Sequence, residues 1–349
     1  MTTISKKQKE VLTKAKKQKT YTYEEVLESA VAYFNGDELA GTTWMNKYAM
    51  KDYEGNFVEK NPDDMHKRMA KEFGRIEADY KLKYNLNGSA KFLSKYGQER
   101  EDLTEAKVYS LFKEFGYIIP QGSVMSSLGN HYKLASLSNC IVVPELHDSY
   151  GGVFYTDQQL AQLFKRRCGV GVDISNLRPA GSSVSNAAGS TSGAVSFMNR
   201  FSHTTREVAQ NGRRGALMLS MDIAHPDVED FITIKQDLQK VTGANISIRL
   251  SDEFMHAVEA NAEYTHKWPI ESDNPKFTKT VNAKELWNTI IQCAHNTAEP
   301  GLIFWDRQHW YSTSSVYPGY KNTSTNPCSE IAMQGGDSCR LIALNLYNF

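Results

Sequence analysis

Short apolar runs alternate with amphipathic segments between residues 139 and 306, and this alternation most constrains the fold of the chain. The runs resemble buried strands, and the segments between them carry apolar residues at helical intervals. The predicted strands are, in chain order, NCIVVPEL, GVGVDIS, ALMLSMDIAH, ANISIRLS and GLIFWD. Because strands that alternate with helices usually pair in parallel, the segment predicts a mainly parallel sheet or an α/β barrel.

The helices predicted between these strands include two whose starts can be proposed from sequence. TDQQLAQLFKRRC is amphipathic with Asp157 near its expected start, and PDVEDFITIKQ is expected to open on Pro226. The remaining predicted helices are AVSFMNRFSHTTREVAQ, DEFMHAVEA and AKELWNTIIQCAHNT.

The chain ahead of this sheet predicts a mainly helical region over residues 21–115. Thr22 and Glu25 have the spacing of a capping box, and a second apolar stripe runs through NPDDMHKRMAKEFGRIEADY. Residues 1–20 form a lysine-rich tail, which we expect to be a solvated helix or a frayed end. Residues 116–349 are expected to form the α/β part.

Composition excludes several classes of protein. Lysine plus arginine and aspartate plus glutamate both number 40 in 349 residues, and a net charge of zero argues against a general nucleic-acid binder. No apolar run is long enough to span a membrane, and the basic N-terminus lacks a signal core, so a cytoplasmic location is expected. In such a reducing compartment, the five cysteines, which form no CxxC pair, are expected to be mostly free thiols.

The stretch NPCSE places an amide, a thiol and a carboxylate at alternate positions. In an extended loop, Asn326, Cys328 and Glu330 would point the same way. The three groups together suit chemistry on a substrate hydroxyl, in which the carboxylate accepts a proton, the amide holds an oxygen and the sulfur does the redox step. The alternative is an ordinary loop cysteine beside a solvent-facing glutamate.

Two further cysteines each begin a predicted strand. Cys140 starts CIVVP and Cys339 starts CRLIALNL. If these strands are neighbours, the two sulfurs could face each other and cycle between dithiol and disulfide. A zinc site suits the spacings to histidine less well, and no metal site is predicted.

Several motifs in order resemble the large, catalytic subunit of ribonucleotide reductases. NPCSEIAMQGGDSCRLIALNL resembles the active-site finger loop of that family, and SLSNCIVVPELHDS resembles its first redox-cysteine strand. The resemblance runs from about residue 25 to the last residue. Further similar segments are GVGVDISNLRPAGSSV with GAVSFMNRF, NGRRGALMLSMDIAHPDVEDFI, and NISIRLSDEFMHAV.

The resemblance implies a fold and an active site. The fold would be the first half of a ten-stranded α/β barrel, with the finger loop inserted through its centre. Cys328 would form a transient thiyl radical that removes the 3′-hydrogen of the ribose. Glu330 would be the general base for the 3′-hydroxyl, and we expect its burial near the sulfur to raise its pKa. Asn326 and Asn139 would bind the substrate.

The resemblance also implies a reducing pair and a reductant. Cys140 and Cys339 would supply two reducing equivalents while the 2′-hydroxyl leaves as water, and would end as a disulfide. A thioredoxin- or glutaredoxin-type reductant would restore the dithiol. The radical would come from a metal-containing small subunit or from adenosylcobalamin, and the helical start resembles members that include adenosylcobalamin users. The substrate is expected to be a ribonucleoside diphosphate.

A regulatory site is implied in the same way. Asp148 and Ser149 would hold the ribose or base of a deoxynucleotide or ATP effector, and Arg178 would contact its phosphates. AGSSVSNAAGSTSG (residues 180–193) resembles specificity loop 1 and QDLQKVTGAN (residues 236–245) resembles loop 2. Loop 1 sites of the family form at a homodimer interface. Arg213 and Arg214 suggest a phosphate contact, but a structural salt bridge explains them equally well.

The family's second half-barrel would follow the last residue of this sequence. We therefore expect an N-terminal portion, whether a split gene product, an intein-interrupted precursor or a truncated chain, that needs a second chain to complete the barrel. One alternative is a non-catalytic nucleotide-binding remnant, which the retained active-site residues argue against. A thiol oxidoreductase acting on proteins is disfavoured by the lack of a CxxC motif.

Overall fold

The computed structural model describes residues 19–86, 93–208 and 215–349. Arg213, Arg214 and residues 1–18 of the lysine-rich tail lie outside the described residues. The chain divides into two compact units, one formed by Met1–Leu137 with Arg340–Phe349 and the other by Ser138–Cys339. The division predicted from sequence, with boundaries after residues 20 and 115, remains a prediction.

The secondary structure of the described residues is as follows. The helices are α1 (Tyr23–Tyr33), α2 (Glu38–Lys47), α3 (Pro62–Leu86), α4 (Lys95–Glu99), α5 (Glu105–Phe112), α6 (Ser123–Ser127), α7 (Tyr150–Phe164), α8 (Met198–Glu207), α9 (Val228–Thr233), α10 (Asp252–Ala260), α11 (Ala283–Thr297) and α12 (Trp305–Tyr311). The strands are β1 (Ile118–Pro120), β2 (Cys140–Val142), β3 (Gly169–Asp173), β4 (Leu217–Asp222), β5 (Asn245–Leu250), β6 (Glu263–Trp268), β7 (Phe277–Asn282), β8 (Gly301–Phe304), β9 (Ser324–Thr325), β10 (Ala332–Met333), β11 (Ser338–Cys339) and β12 (Ile342–Leu344).

The first unit is built on helices α1 to α6. The predicted capping box is confirmed: the Thr22 hydroxyl accepts from the Glu25 amide at 3.2 Å, and the Glu25 carboxylate accepts from the Thr22 amide at 2.8 Å. These bonds satisfy two backbone donors that the first turn of a helix leaves open. The apolar stripes of α1 and α3 then meet in one core, in which Val26, Met65 and Met69 are fully buried.

A histidine in this core makes the stability of the unit depend on pH. Burial lowers the pKa of His66 to about 4. Because the unfolded chain has a histidine pKa near 6.5, it binds more protons than the folded chain below that pH, and stability falls as the pH falls. We expect the free energy of unfolding to drop by about 2 kcal/mol between pH 7 and pH 5 from this group alone. Urea unfolding at the two pH values measures the drop.

His66→Gln provides the control for this prediction. The variant lacks the titrating ring, so its pH dependence should be weaker than that of the wild type by about the same 2 kcal/mol. Burial also lowers the pKa values of His225 and His266, and these two residues account for pH dependence that remains in the variant. An unchanged pH dependence in the variant would contradict the assignment.

The second unit is built on a six-stranded sheet of order β11-β2-β3-β4-β5-β8. Strands β2, β3, β4, β5 and β8 pair in parallel, and β11 lies antiparallel at the edge. Apolar residues of the strands pack against the helices that connect them, and Val172, Leu219 and Ile248 are fully buried. This confirms the predicted α/β fold with N-terminal helices followed by a half-barrel sheet.

Two predictions about local structure are wrong, and one hairpin is absent from the predictions. Helix α7 starts at Tyr150, capped by Ser149, so Asp157 lies in its middle. Helix α9 starts at Val228 after Asp227, rather than opening on Pro226. The antiparallel hairpin β6–β7 was not predicted, since only one of its faces is partly buried. Over the described ranges, no helix combines the length and apolar character needed to cross a membrane.

Candidate active site

A short hairpin carries the predicted catalytic loop. Strands β9 and β10 pair antiparallel, with Thr325 opposite Ala332 and Ser324 opposite Met333. The Asn326 amide donates to the Ile331 carbonyl at 3.1 Å and closes the loop between them. Cys328 lies in this loop. We call residues 323–333 the finger hairpin.

Two glycines of β3 allow the finger hairpin to lie directly on the sheet. A Cβ on Gly171 would overlap the Thr325 carbonyl, and a Cβ on Gly169 would lie 2.6 Å from Cγ of Pro327. No larger residue fits where two backbones approach so closely. The hairpin therefore runs along β3 from its end toward its beginning, and brings Cys328 beyond the first residue of that strand.

A buried arginine holds the base of the finger hairpin. Arg249 Nη1 donates to the Thr323 carbonyl at 3.2 Å, and Nη2 donates to Asp222 Oδ2 at 2.9 Å. Burial alone would lower the pKa of Arg249, but Asp173 and Asp222 outweigh it and raise that pKa. Nearby, the Ser220 and Ser324 hydroxyls lie 3.2 Å apart. Because a buried charge must stay paired, this network favours one register of the hairpin on the sheet.

The three predicted catalytic residues in the loop of the finger hairpin differ in their burial. Asn326 is fully buried, and its Oδ1 accepts from the Ile331 amide at 3.2 Å, whereas its Nδ2 has no hydrogen-bond partner among the described residues. Cys328 and Glu330 are exposed. The expectation that Glu330 is buried is therefore wrong for this chain. The left-handed φ of 69° at Ser329 interrupts the alternation that the simple spacing argument assumed.

Cys140 and Cys339 lie on neighbouring strands, which is the condition that the sequence left open. Cys140 begins β2 and lies directly opposite Cys339 in the antiparallel pair β2–β11. Cys339 ends β11, however, and does not begin the strand that follows. Residues directly opposite each other in such a pair are within disulfide reach, and both cysteines are buried free thiols.

The pKa of the Cys140 thiol is strongly raised. Burial is the main cause, followed by Cys339, with which it shares a hydrogen bond, and then by Cys328 and Glu330. The last two causes require the finger loop to lie near the pair. The arrangement thus brings three thiols and a carboxylate together and keeps Cys140 protonated.

The predicted substrate residue Asn139 lies next to this group. It is 7% exposed, and its side-chain Oδ1 has no hydrogen-bond partner among the described residues. Its backbone carbonyl accepts from the Gly169 amide at 2.7 Å. Asn139 and Asn326 thus supply a free acceptor and a free donor beside the thiols, which suits the binding of a polyhydroxylated ligand.

The predicted effector residues converge on a cavity of about 250 Å³. Asp148 and Ser149 follow β2, and Arg178 follows β3, so this cavity lies at the carboxyl edge of the sheet, opposite the thiols. Arg178 Nε donates to Asp148 Oδ2 at 2.7 Å, and Ser149 caps α7. Loop 1 residues Val184 to Asn186 and the ring of Phe197 complete the wall.

One carboxylate holds both ends of loop 1. Asp227 accepts from the Ala180 amide at 3.0 Å and from the Ala194 amide at 2.9 Å. Gly193 is required here because a Cβ would lie 2.5 Å from Asp227 Oδ2, and its φ is +88°. Asp227 therefore joins the two ends of loop 1, the loop that forms part of the cavity wall.

Sequence reasoning missed the residues that position the finger hairpin. Arg249, Asp173 and Asp222 are scattered among apolar strand residues and carry no motif. A usable signal existed in GVGVD, since glycine at alternate positions of a buried strand indicates close approach of another backbone. In the described part of the chain, no group of three or more His, Cys, Asp or Glu residues is arranged to hold a metal ion.

Comparison with known proteins agrees with this architecture. The family described as "Ribonucleotide reductase, barrel domain" matches residues 138–349, more than half of the chain. A vitamin B12-dependent ribonucleoside-diphosphate reductase of Thermoplasma acidophilum is 32% identical over 344 residues, which cover 87% of this chain and 44% of that protein. One of the same name from Mycobacterium tuberculosis is 35% identical, covering 61% of this chain and 30% of the relative.

A more distant relative carries a different name. The ribonucleoside-diphosphate reductase large subunit of Trypanosoma brucei brucei is 25% identical over 68% of this chain and 30% of its own length. The chain thus spans less than half the length of these curated relatives. With the family match, the half-barrel sheet and the finger hairpin on that sheet, the chain belongs to the ribonucleotide reductase family as a portion of its catalytic subunit.

Proposed function

We propose that this chain contributes the thiol chemistry of an adenosylcobalamin-dependent ribonucleotide reductase that converts ribonucleoside diphosphates to 2′-deoxyribonucleotides. The observation that carries the proposal is the register of β2 and β11, which sets Cys140 opposite Cys339 with Cys328 and Glu330 nearby. Two reducing thiols and a third, separate thiol are what a radical reduction of this kind needs.

Each residue has one role in the proposed reaction. A thiyl radical on Cys328 takes the 3′-hydrogen atom of the ribose, and Glu330 accepts the 3′-hydroxyl proton and returns it to the 3′-oxygen before the product leaves. The 2′-hydroxyl then leaves as water with a proton from the dithiol. Cys140 and Cys339 give two electrons and two protons in all and form a disulfide. Return of the hydrogen atom from Cys328 restores the radical.

The protonation of the reducing pair supports these roles. A thiol can donate a proton to the leaving hydroxyl, whereas a thiolate cannot. Burial and the neighbouring Cys339 raise the pKa of Cys140, so the proton is in place when the substrate arrives. The free Nδ2 of Asn326 and the free Oδ1 of Asn139, counted over the described residues, are available for ribose or base contacts.

Adenosylcobalamin is proposed as the radical source because two of the relatives are named as B12-dependent enzymes. When bound, the cofactor would supply the radical that oxidises Cys328. The exposed position of Cys328 fits this, since its thiol can be approached from outside this part of the chain. The metal-containing small subunit is the alternative source.

The test is a reduction assay on this chain joined by the region that its relatives carry beyond residue 349. CDP, dithiothreitol and adenosylcobalamin are supplied, and dCDP is measured together with the Cys140–Cys339 disulfide by mass spectrometry. Product that requires adenosylcobalamin supports the proposal. Product that requires an added metal-containing small subunit, and not adenosylcobalamin, would instead favour that radical source, and nucleotide binding without product in either case would favour a non-catalytic remnant.

The cavity at the carboxyl edge is proposed as the deoxynucleotide or ATP effector site. Arg178, whose side chain is one-third exposed, can meet phosphates, and the N-terminal end of the 15-residue helix α7 favours anions. Asp148 and Ser149 would hold the ribose or base. A cavity of about 250 Å³ is small for a whole nucleotide, which supports completion of the site by a second copy of the chain.

A homodimer through α7 and α8 gives a further testable prediction. Tyr150, Phe154 and Tyr155 of α7 are 58%, 49% and 60% exposed, and Arg200 of α8 lies over the Phe154 ring. Exposed aromatics of this kind often anchor interfaces. Phe154→Glu is expected to weaken dimerisation by about 10-fold or more in sedimentation equilibrium. Tyr317→Glu, an exposed aromatic away from these helices, should leave the association unchanged.

A cytoplasmic location is part of the proposal, because the Cys140–Cys339 dithiol needs a compartment in which thioredoxin- or glutaredoxin-type reductants operate. Such a reductant would also return the Cys140–Cys339 disulfide to the dithiol after each turnover.

A further inference from the structure

One face of helix α12 is turned toward the finger hairpin. Trp305, Gln308 and His309 have the spacing i, i+3 and i+4, which places three side chains on the same side of a helix. The guanidinium of Arg249 lies over the Trp305 ring, with its central carbon 4.5 Å from the ring centroid. Arg249 also donates to the Thr323 carbonyl. This helix face therefore reaches the base of the hairpin through one arginine.

The other two side chains of this face contact the hairpin and the residue that precedes it. Asn322, which is 5% exposed, donates from Nδ2 to His309 Nδ1 at 3.3 Å. Gln308 Nε2 donates to the Ser329 carbonyl at 3.2 Å. Because a carbonyl oxygen only accepts, this contact fixes which end of the Gln308 amide faces the loop. Gln308 is thus a side chain from outside the hairpin that holds the residue next to Cys328.

The loop of the finger hairpin is held on both sides of Cys328. On the N-terminal side, the Pro327 ring lies so close to β3 that a Cβ on Gly169 would be 2.6 Å from its Cγ. On the C-terminal side, Gln308 holds the Ser329 carbonyl. The position of Cys328 is therefore set by a strand through one neighbour and by a helix through the other.

The backbone conformation of Ser329 depends on these bonds. Its φ of 69° is left-handed, which is uncommon for a residue with a Cβ and persists only when the surroundings fix it. The Ser329 amide donates to the Asn326 carbonyl at 3.0 Å, and the Ser329 carbonyl accepts from Gln308. Without the bond from Gln308, the peptide after Ser329 can rotate toward a commoner conformation, and Cys328 moves with it.

Helix α12 is itself anchored at the start of α10. Asp306 Oδ2 accepts from the Asp252 amide at 2.7 Å, and Arg307 Nε donates to Asp252 Oδ1 at 3.2 Å. Gln308 follows these two residues directly in the chain. The helix therefore gives Gln308 a fixed point from which to hold the loop.

We propose that Gln308 is a positioning residue that holds the Cys328 thiol at the distance that hydrogen-atom transfer requires. The inference rests on the proposed function, in which Cys328 carries the radical. Reaction between two groups is steeply sensitive to a small misplacement of either one. Because the proposed substrate contacts belong to Asn139 and Asn326, loss of the Gln308 bond should lower kcat and leave the KM for CDP nearly unchanged.

Gln308→Met tests this role in the chain joined by the region that its relatives carry beyond residue 349. Methionine has nearly the shape of glutamine but no donor. Since Gln308 Oε1 has no hydrogen-bond partner among the described residues, the variant removes only the bond to Ser329. We expect kcat for CDP reduction to fall about 10-fold or more, with KM within about 3-fold of the wild type. The melting temperature should stay close to that of the wild type.

Two further variants separate positioning from general damage. Gln308→His keeps a ring N–H at nearly the reach of the amide nitrogen and should restore most of kcat. Gln98→Met is the matched control, because it loses a bond of the same kind, from Gln98 Nε2 to the Leu93 carbonyl at 2.8 Å, and should leave kcat unchanged. If Gln308→Met instead lowers the melting temperature and raises KM while kcat falls, the residue is merely structural and the inference is overturned.

Alkylation of Cys328 by iodoacetamide, in the same proteins, gives a readout that needs neither cofactor nor substrate. Cys328 is exposed, and peptide mass spectrometry follows its labelling separately from that of the other cysteines. The loosened loop of Gln308→Met should be labelled several-fold faster than the wild type, and Gln98→Met should not.

The two readouts distinguish failure of the inference from failure of the proposed function. Wild-type kcat and wild-type labelling in Gln308→Met would overturn the inference alone. If the wild-type protein makes no dCDP, the proposed function fails, and faster labelling in Gln308→Met still supports the positioning of the thiol by Gln308.

Discussion

Cys328→Ala is expected to abolish CDP reduction, with a loss of at least about 10⁴-fold in turnover. Alanine cannot carry the radical, and neither Cys140 nor Cys339 can replace it, because both sit in the β2–β11 pair and not on the finger hairpin. Without the first hydrogen abstraction, no later step proceeds. Product formation and disulfide formation per enzyme, measured in a single turnover, should both disappear.

Cys293→Ala is the matched control for this loss. Cys293 is a buried free thiol on α11, outside the finger hairpin and the reducing pair, and we expect turnover close to that of the wild type. The Cys328→Ala protein should still bind dTTP at the cavity, because that site lies at the opposite edge of the sheet. Turnover by Cys328→Ala above a few per cent would exclude Cys328 as the radical site.

Gly171→Ala is expected to lower turnover by about 100-fold, because a misplacement of about 1 Å at a reacting group has that effect. The new methyl group would overlap the Thr325 carbonyl, so the backbone of the finger hairpin must move away from β3 and carry Cys328 with it. The lost packing should also lower the melting temperature. Both quantities can be measured on the same preparation.

Two further glycine variants test whether the loss of turnover depends on how closely the added methyl group meets its neighbours. Gly169→Ala meets only the edge of the Pro327 ring, at 2.6 Å, and should show a smaller loss than Gly171→Ala. Gly151→Ala, in α7, meets Ser149 Oγ at an ordinary 3.7 Å and should lower neither turnover nor melting temperature. Equal activity of Gly171→Ala and Gly151→Ala would show that the hairpin does not depend on this close approach.

Short-range sequence patterns predict the local structure of this fold well. The capping box of Thr22 and Glu25 and the strand–helix alternation after residue 139 follow from short-range rules, and the structure confirms them. The sequence predicts too late a start for α7 because Gly151 and Gly152 make a poor helical pattern. Ser149, a good N-cap residue, is the signal for the true start.

The candidate site depends on relations that sequence alone does not carry. The pairing of Cys140 with Cys339 joins residues that are far apart in the chain. The sequence predicts it only if their two strands are neighbours. The exposure of Glu330 follows from the path of the finger hairpin, which Arg249 and Gly171 determine through contacts across strands. Such tertiary contacts override local pattern.

The position of the thiols at the beginning of β2 and β3 has an electrostatic consequence. The crossover helices run opposite to the strands, so they end at this edge of the sheet and place the negative poles of their dipoles there. Cysteines that act as nucleophiles usually lie at the positive pole, where the thiolate is stabilised. Here the negative poles act in the same direction as burial, which raises the pKa of Cys140, so this thiol is suited to donate hydrogen atoms and protons. The opposite edge, with the positive poles, suits the proposed binding of phosphate.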